Sequence, residues 1–242
     1  MYPDKNLIEK LTGIKIITYD TVSSTNDIAK EIVQSGDFSP CAVIAKTQTN
    51  GHGRGDRRFF SYNGGIYLSM IIPLRDVFSP AELLTSACAA AVCRAIRTAT
   101  AVQGEVKWVN DIYVRSRKVC GILALHGGGA YIVGVGINVE KVSFPSDIRT
   151  TAAALDVKCD QSILCAEVIN QIRSALGENP QNIINYCTEH SYTLGKNVTY
   201  IKNGTIYHGK AEKLLPHGEL LVRLEGGEED ILSSGEVSVK NA

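Results

Sequence analysis

At 242 residues, 44% hydrophobic and 21% charged, the chain has length for one large domain or a large one with a small appendage, and its composition is that of a soluble globular protein. Its 25 basic and 25 acidic side chains cancel, which excludes a global field for holding nucleic acid or an anionic membrane and makes any phosphate binding local. No apolar run approaches the roughly 20 residues of a membrane span, and no signal pattern follows Met1, so a cytoplasmic protein without membrane attachment is expected.

In chain order, β-branched or alternating apolar runs predict strands at 15–20 (KIITYD), 41–48 (CAVIAKTQ), 65–73 (GIYLSMIIP), 105–109 (EVKWV), 111–115 (DIYVR), 118–126 (KVCGILALH) and 130–139 (AYIVGVGINV). Between the first two, Ser24 with Asp27 reads as a capping box that opens a short helix through Val33. Ser79, Pro80 and Glu82 repeat the signal and open an alanine-rich helix at 80–98. Further helices are expected at 160–176 and after Pro180. Strands in succession with few interposed helices predict an α+β fold, a mixed and largely antiparallel sheet with helices on one face. After Ser191, short strands separated by NG, HG and GG turns predict a small all-β barrel, dividing the chain into 1–190 and 191–242. The cysteines at 41, 88, 93, 120, 159, 165 and 187 are odd in number and form no CxxC pair, which predicts free, mostly buried thiols and fits a reducing compartment.

Three stretches carry chemistry. In NGHGRGDRRFFS (50–61), glycines at 51, 53 and 55 let backbone N–H groups approach a ligand, while Arg54, Arg57 and Arg58 offer planar forks for phosphate oxygens. The stretch alone reads equally well as a solvated hairpin loop. KWVNDIYVRSRKVCGIL (107–123) interrupts apolar sequence with Lys107, Asn110, Asp111 and Lys118, residues seldom buried without partner or purpose; a structural salt bridge to Asp111 is the plainer alternative. VGVGINV (133–139) would let a flat ligand lie against Gly134 and Gly136, with Asn138 as a polar reader at its end.

Taken in order, SSTND, QTNGHGRGDRR, GGIYLSM, KWVNDI, RKVCGIL and VGVGINV resemble the biotin protein ligases, and LGKNV, HGKAEKL, GELLV and SSGEVSVK resemble that family's C-terminal SH3-like barrel. The resemblance implies the biotin synthetase-like fold shared with class II aminoacyl-tRNA synthetases. It also implies ATP-dependent activation of biotin to biotinyl-5′-adenylate with Mg2+, then transfer to one lysine of a biotin carboxyl carrier protein, such as a subunit of acetyl-CoA carboxylase. With the first strand about 14 residues in, a short, monofunctional form without the family's DNA-binding domain is expected; a homodimer stays open.

Carried over residue by residue, Lys118 matches the lysine that contacts the biotin carboxylate and the adenylate phosphate, and Arg54 the loop arginine over that phosphate. Ser24, Thr25, Asn26 and Gln48 match the polar biotin contacts, joined by Gly51, His52 and Gly121. Arg57, Phe59, Lys107, Asn110, Asn138 and Lys240 fall to the nucleotide, and Asp111 to the magnesium or the incoming lysine. Four positions depart from the pattern: His52 replaces an arginine that restrains adenylate release, Gly55 comes one place early, Phe59 replaces a tryptophan and Val109 a proline. The rival readings are a lipoate or octanoate ligase or transferase of the same fold, and a non-catalytic biotin sensor.

Overall fold

The computed structural model describes residues 2–36, 38–77 and 80–239. Its elements are α1 (Lys5–Thr12), β1 (Lys15–Val22), α2 (Thr25–Gln34), β2 (Cys41–Gln48), β3 (Gly65–Pro73), α3 (Leu84–Thr100), β4 (Glu105–Lys107), β5 (Asp111–Val114), β6 (Arg117–Gly127), β7 (Ala130–Asn138), α4 (Gln161–Ala175), α5 (Pro180–Glu189), β8 (Asn197–Lys202), β9 (Thr205–Leu214), β10 (Leu220–Leu224), β11 (Glu229–Leu232) and β12 (Val237–Val239). The first sheet has the order β1-β2-β3-β7-β6-β5-β4. Its β1–β2 pair is parallel and the others are antiparallel.

A parallel pair needs a crossover, and α2 supplies it. That connection places α2 on one face of the sheet, where Ala29 and Val33 pack with Cys41, Val43, Ile71 and Ile132. The alternate residues of the same strands, Ala42, Ile44, Leu68, Met70, Val133 and Val135, point the other way into the main core with α1, α3, α4 and α5. The expected α+β architecture is thus present, with, among the described residues, α1, α3, α4 and α5 covering one face and α2 the other. Beside α2 the sheet stays open, and the cavity described below occupies that space.

Small side chains let α3 lie close to the sheet and to α4: Ala87, Ala89, Ala90, Ala91 and Ala95 are all fully buried. The helix starts later than expected, because Pro80 is extended (φ −54°, ψ 139°) and residues Ala81–Leu83 form a 3-10 turn before Leu84. Ser79, the expected cap, lies outside the described residues. Helix α1 was not foreseen, although Asp4 caps it by accepting from Asn6 and Leu7 N–H and Gly13 closes it at φ 69°. The strand expected at 105–109 ends at Lys107, since Trp108 to Asn110 make the turn of the β4–β5 hairpin, with Lys107 opposite Asp111.

One polar clamp bears on stability. Arg94 on α3 donates to both Glu178 oxygens (2.6 and 3.1 Å) and stacks over the Tyr186 ring at 4.4 Å, tying α3 to the turn between α4 and α5. Arg94→Ala is expected to lower unfolding free energy by about 1–3 kcal/mol, read as a lower urea midpoint with unchanged slope.

The second sheet has the order β11-β10-β9-β8-β12. Its core takes in Trp108 from the β4–β5 turn, whose indole N–H donates to Gly218 O (2.9 Å) and whose backbone N–H donates to Thr193 Oγ1 (3.0 Å). Through this anchor the turn at Gly235 and Glu236, between β11 and β12, reaches the mouth of the cavity. All seven cysteines are free; Cys159 is half-buried and the other six are buried.

Candidate active site

Ligand sites in open sheets gather at the carboxyl ends of parallel strands, and here Val22 and Gln48 end β1 and β2 in register. Helix α2 begins at the same point. Ser24 is its cap and accepts from Asn26 N–H (3.2 Å), while Gln48 Oε1 accepts from Thr25 N–H (2.8 Å) and Gln48 Nε2 donates to Ser61 Oγ (2.9 Å). Ser24, Thr25 and Asn26 are buried, an unusual density of hydroxyls and amides for a core position, and all three line the cavity with Gln48.

The glycine- and arginine-rich stretch is a docked hairpin. Asn50 N–H donates to Ser23 O (2.8 Å), Phe59 N–H to Gly51 O (2.8 Å) and Gly53 N–H to Arg57 O (2.7 Å), which turns its tip over the cavity. At the tip, Arg54 Nη1 donates to Gly235 O (2.9 Å) and lies 3.5 Å from Asn110 Oδ1, and Arg57 pairs with Glu236 at 2.6 Å. At the base, His52 Nε2 sits 2.9 Å from both oxygens of Asp27 in the first turn of α2. Gly51 stands behind the cavity wall, where a Cβ would lie 2.7 Å from Phe59 O and 2.8 Å from Gln48 Nε2.

Glycines make the floor. A Cβ on Gly136 would meet the Phe59 ring at 2.6 Å, and one on Gly134 would meet the Asn26 amide at 2.5 Å, so both positions serve close approach. The Phe59 ring rests on Gly136 and Gly121, 5.9 Å from Lys118 Nζ.

Cations and one carboxylate form the wall. Lys118 Nζ lies 2.7 Å from Asp111 Oδ1, so the salt bridge and the site are one feature. Lys107 is buried, 5.5 Å over the Tyr113 ring, and burial pulls its ammonium below the usual lysine range against the opposing pull of Asp111. Asn110 Nδ2 donates to Ile122 O (2.9 Å), fixing the hairpin. Asn138 Nδ2 donates to Ala153 O (3.0 Å), while its Oδ1 is buried without a partner among the described residues. These groups share one cavity of about 530 Å³.

The structure thus brings together Ser24, Thr25, Asn26, Gln48, His52, Arg54, Arg57, Phe59, Lys107, Asn110, Asp111, Lys118, Gly121 and Asn138. Lys240 lies outside the described residues. Sequence reading missed Asp27 as the partner of His52, Gly235 and Glu236 at the mouth, and the Thr150 to Ala152 segment, held beside β6 by Lys118 N–H to Thr151 O (2.8 Å). Asp27 was visible as a first-turn acid; the others sit in irregular stretches with no periodic signal.

Residues 18–141 match the biotin/lipoate A/B protein ligase family, and residues 193–240 match the biotin protein ligase C-terminal domain. The chain is 30% identical over 242 residues to the bifunctional ligase/repressor BirA of Bacillus spizizenii, covering 93% of this chain and 74% of that one. It is 28% identical over 235 residues to the biotin–[acetyl-CoA-carboxylase] ligase of Mycobacterium tuberculosis, covering 91% and 87%. The biotin protein ligase of Aquifex aeolicus, solved with biotin and ATP, superimposes with a TM-score of 0.82 at 26% identity over 94% of this chain and 99% of that one. The chain belongs to the biotin/lipoate A/B protein ligase family.

Proposed function

We infer that this chain couples the carboxylate of biotin to the α-phosphorus of ATP, releases pyrophosphate, and passes the biotinyl group to a lysine amine of a biotin carboxyl carrier protein, releasing AMP. The observation that carries this reading is the convergence of Arg54 and Lys118 on one cavity floored by glycine and closed at one end by a polar helix start. A carboxylate and a triphosphate repel each other, and fixed cations at their meeting point lower the cost of bringing them together.

At the helix end, Ser24, Thr25, Asn26 and Gln48 suit a ureido ring, which both donates and accepts hydrogen bonds. Lipoate ends in an apolar dithiolane that would leave these buried groups unpaired, so the polar row favours biotin. Gly121 and Gly136 let the Phe59 ring pack down on the strands, and that ring is the apolar surface offered to the flat bicycle and its chain, with Gly51 supporting the wall from behind. Toward the nucleotide, the orphaned Asn138 Oδ1 is an acceptor suited to an exocyclic amino group, and Lys107, Asn110 and Arg57 face the phosphate side. Magnesium is held in such sites by one or two carboxylates together with substrate phosphates. Asp111 fits that demand and would hold the ion with ATP; when bound, the ion neutralises phosphate charge. Asp111 also stands where an incoming lysine, with a reference pKa of ~10.4, must lose a proton. Residues 1–190 form the catalytic body in this reading, and 191–242 the appended barrel that holds the loop tip; the free thiols suit the cytoplasm.

The test mixes the full chain with ATP, magnesium and either biotin or lipoate, and measures pyrophosphate and adenylate. Pyrophosphate with biotin, followed by labelling of a carrier domain, is the expected result; release with lipoate alone, or with neither, overturns the reading. The His52–Asp27 contact bears on retention of the intermediate. His52→Arg is expected to slow biotinyl-adenylate dissociation, because a guanidinium fork that can hold both Asp27 and phosphate oxygens replaces the imidazole; stopped-flow release of the labelled intermediate at an unchanged rate would show that His52 does not gate it.

A further inference from the structure

Ser69, at the centre of β3, has no exposed surface and stands one layer behind the cavity. Its Oγ lies 2.7 Å from Asn26 Oδ1 and 2.7 Å from Thr25 Oγ1. A hydroxyl has one proton to give, and an amide oxygen only accepts. Ser69 Oγ is the donor to both, and the Thr25 hydroxyl donates onward to Gln48 Oε1 (3.2 Å), so the Ser69 proton is directed between Asn26 Oδ1 and Thr25 Oγ1. Gln48 Oε1 also accepts from Thr25 N–H (2.8 Å). With its oxygen held by Ser69, Asn26 lines the cavity with Nδ2, which has no partner among the described residues, as the amide atom left for a ligand.

We propose that Ser69 is a positioning residue that locks the Asn26 amide with its NH2 facing the ligand, so that this end of the cavity accepts a carbonyl oxygen and rejects a donor in the same place. The inference rests on the biotin reading and assigns Asn26 to the ureido carbonyl. Without Ser69 the amide can turn over, exchanging nitrogen for oxygen, and the site loses its preference. An interaction made equally in the bound and activated states changes KM and leaves kcat alone.

The experiment measures KM and kcat of pyrophosphate release with biotin and with 2-iminobiotin, in which an imine nitrogen carrying hydrogen replaces the ureido oxygen. It uses wild type, Ser69→Ala, Asn26→Ala and the double variant, with melting temperatures alongside. Ser69→Ala is expected to raise the biotin KM about tenfold, the usual worth of one buried hydrogen bond, with kcat little changed, and to shrink the preference for biotin over 2-iminobiotin by a similar factor. In the Asn26→Ala background the same change should alter that preference no further. Ser69→Cys, close in size and a weak donor, should fall between wild type and alanine, and this ranking stands as the test if the alanine variant does not fold. An unchanged preference in Ser69→Ala, equal loss for both ligands, or the same shift with Asn26 already removed would each overturn the proposal. Wild type that activates 2-iminobiotin or lipoate but not biotin would instead overturn the functional reading, and this inference with it.

Discussion

Lys118→Ala is expected to fold normally and to form biotinyl-adenylate about 10² to 10³ times more slowly than wild type, the range found when one preorganised contact to developing charge is removed. Two effects add. The ammonium that would meet both the carboxylate and the phosphate disappears, and Asp111, which it holds at 2.7 Å, becomes an uncompensated carboxylate facing the same anions. The second effect separates this site from an ordinary ion pair. If Lys118 served only to neutralise Asp111, Lys118→Ala/Asp111→Asn would recover wild-type adenylation; with Lys118 touching the reactants, the double variant recovers a small part, and the departure from additivity measures the pair's coupling. Single-turnover pyrophosphate release at saturating biotin and ATP reads the step directly. A wild-type rate in Lys118→Ala would remove the lysine from the chemistry. The fold has little at stake, because Lys118 is one-third exposed and its strand is held by backbone pairing to β5 and β7.

Much of this arrangement was legible in local sequence, and what escaped was non-local. The boundaries of β3 follow its apolar run because the strand is buried on both faces throughout, and those of β2 follow a run buried over Cys41 to Ala45 that continues into the partly buried Lys46, Thr47 and Gln48. Helix α2 was announced by Ser24, whose cap bond the structure contains. Helix α1 carried comparable signals in Asp4 and Gly13, yet it is short and largely exposed, and its apolar positions are too few for periodicity to stand out. The site's candidates came as separate stretches, and sequence order says nothing of how β1, the 50–61 hairpin and β6 meet; resemblance to a family supplied that. Glu236 and Gly235 could not be found in this way, since their place at the cavity mouth depends on Trp108 inserting into the distant second sheet, where its indole reaches Gly218, 110 residues later. Val109 misled for a local reason: a β-branched residue reads as strand, whereas register pairing of Lys107 with Asp111 forces it into the turn.

Gly134→Ala is the substitution expected to harm biotin binding most per atom added. The new Cβ would lie 2.5 Å from Asn26 Oδ1, 2.6 Å from Nδ2 and 2.9 Å from Cγ, so the whole amide has to leave its position. Asn26 has nowhere easy to go, because it is buried, lies in the first turn of α2 and is held by Ser69. Shifting α2 instead would disturb Ala29 and Val33 against β2, β3 and β7. Overpacking of this kind costs about 1–3 kcal/mol in stability, and losing the Asn26 contact together with the ligand's fit against the strand weakens biotin by about 100-fold or more, two to three hydrogen bonds' worth. Gly127→Ala is the matched control: it lies at the end of the neighbouring strand, has no atom within 4 Å of its added Cβ, and should leave both quantities unchanged. Titration calorimetry with biotin in the absence of ATP isolates the effect from catalysis, and thermal melting reports the packing cost separately. Undiminished biotin affinity in Gly134→Ala would mean that the ligand does not lie against β7 and that the polar row at the start of α2 faces something else.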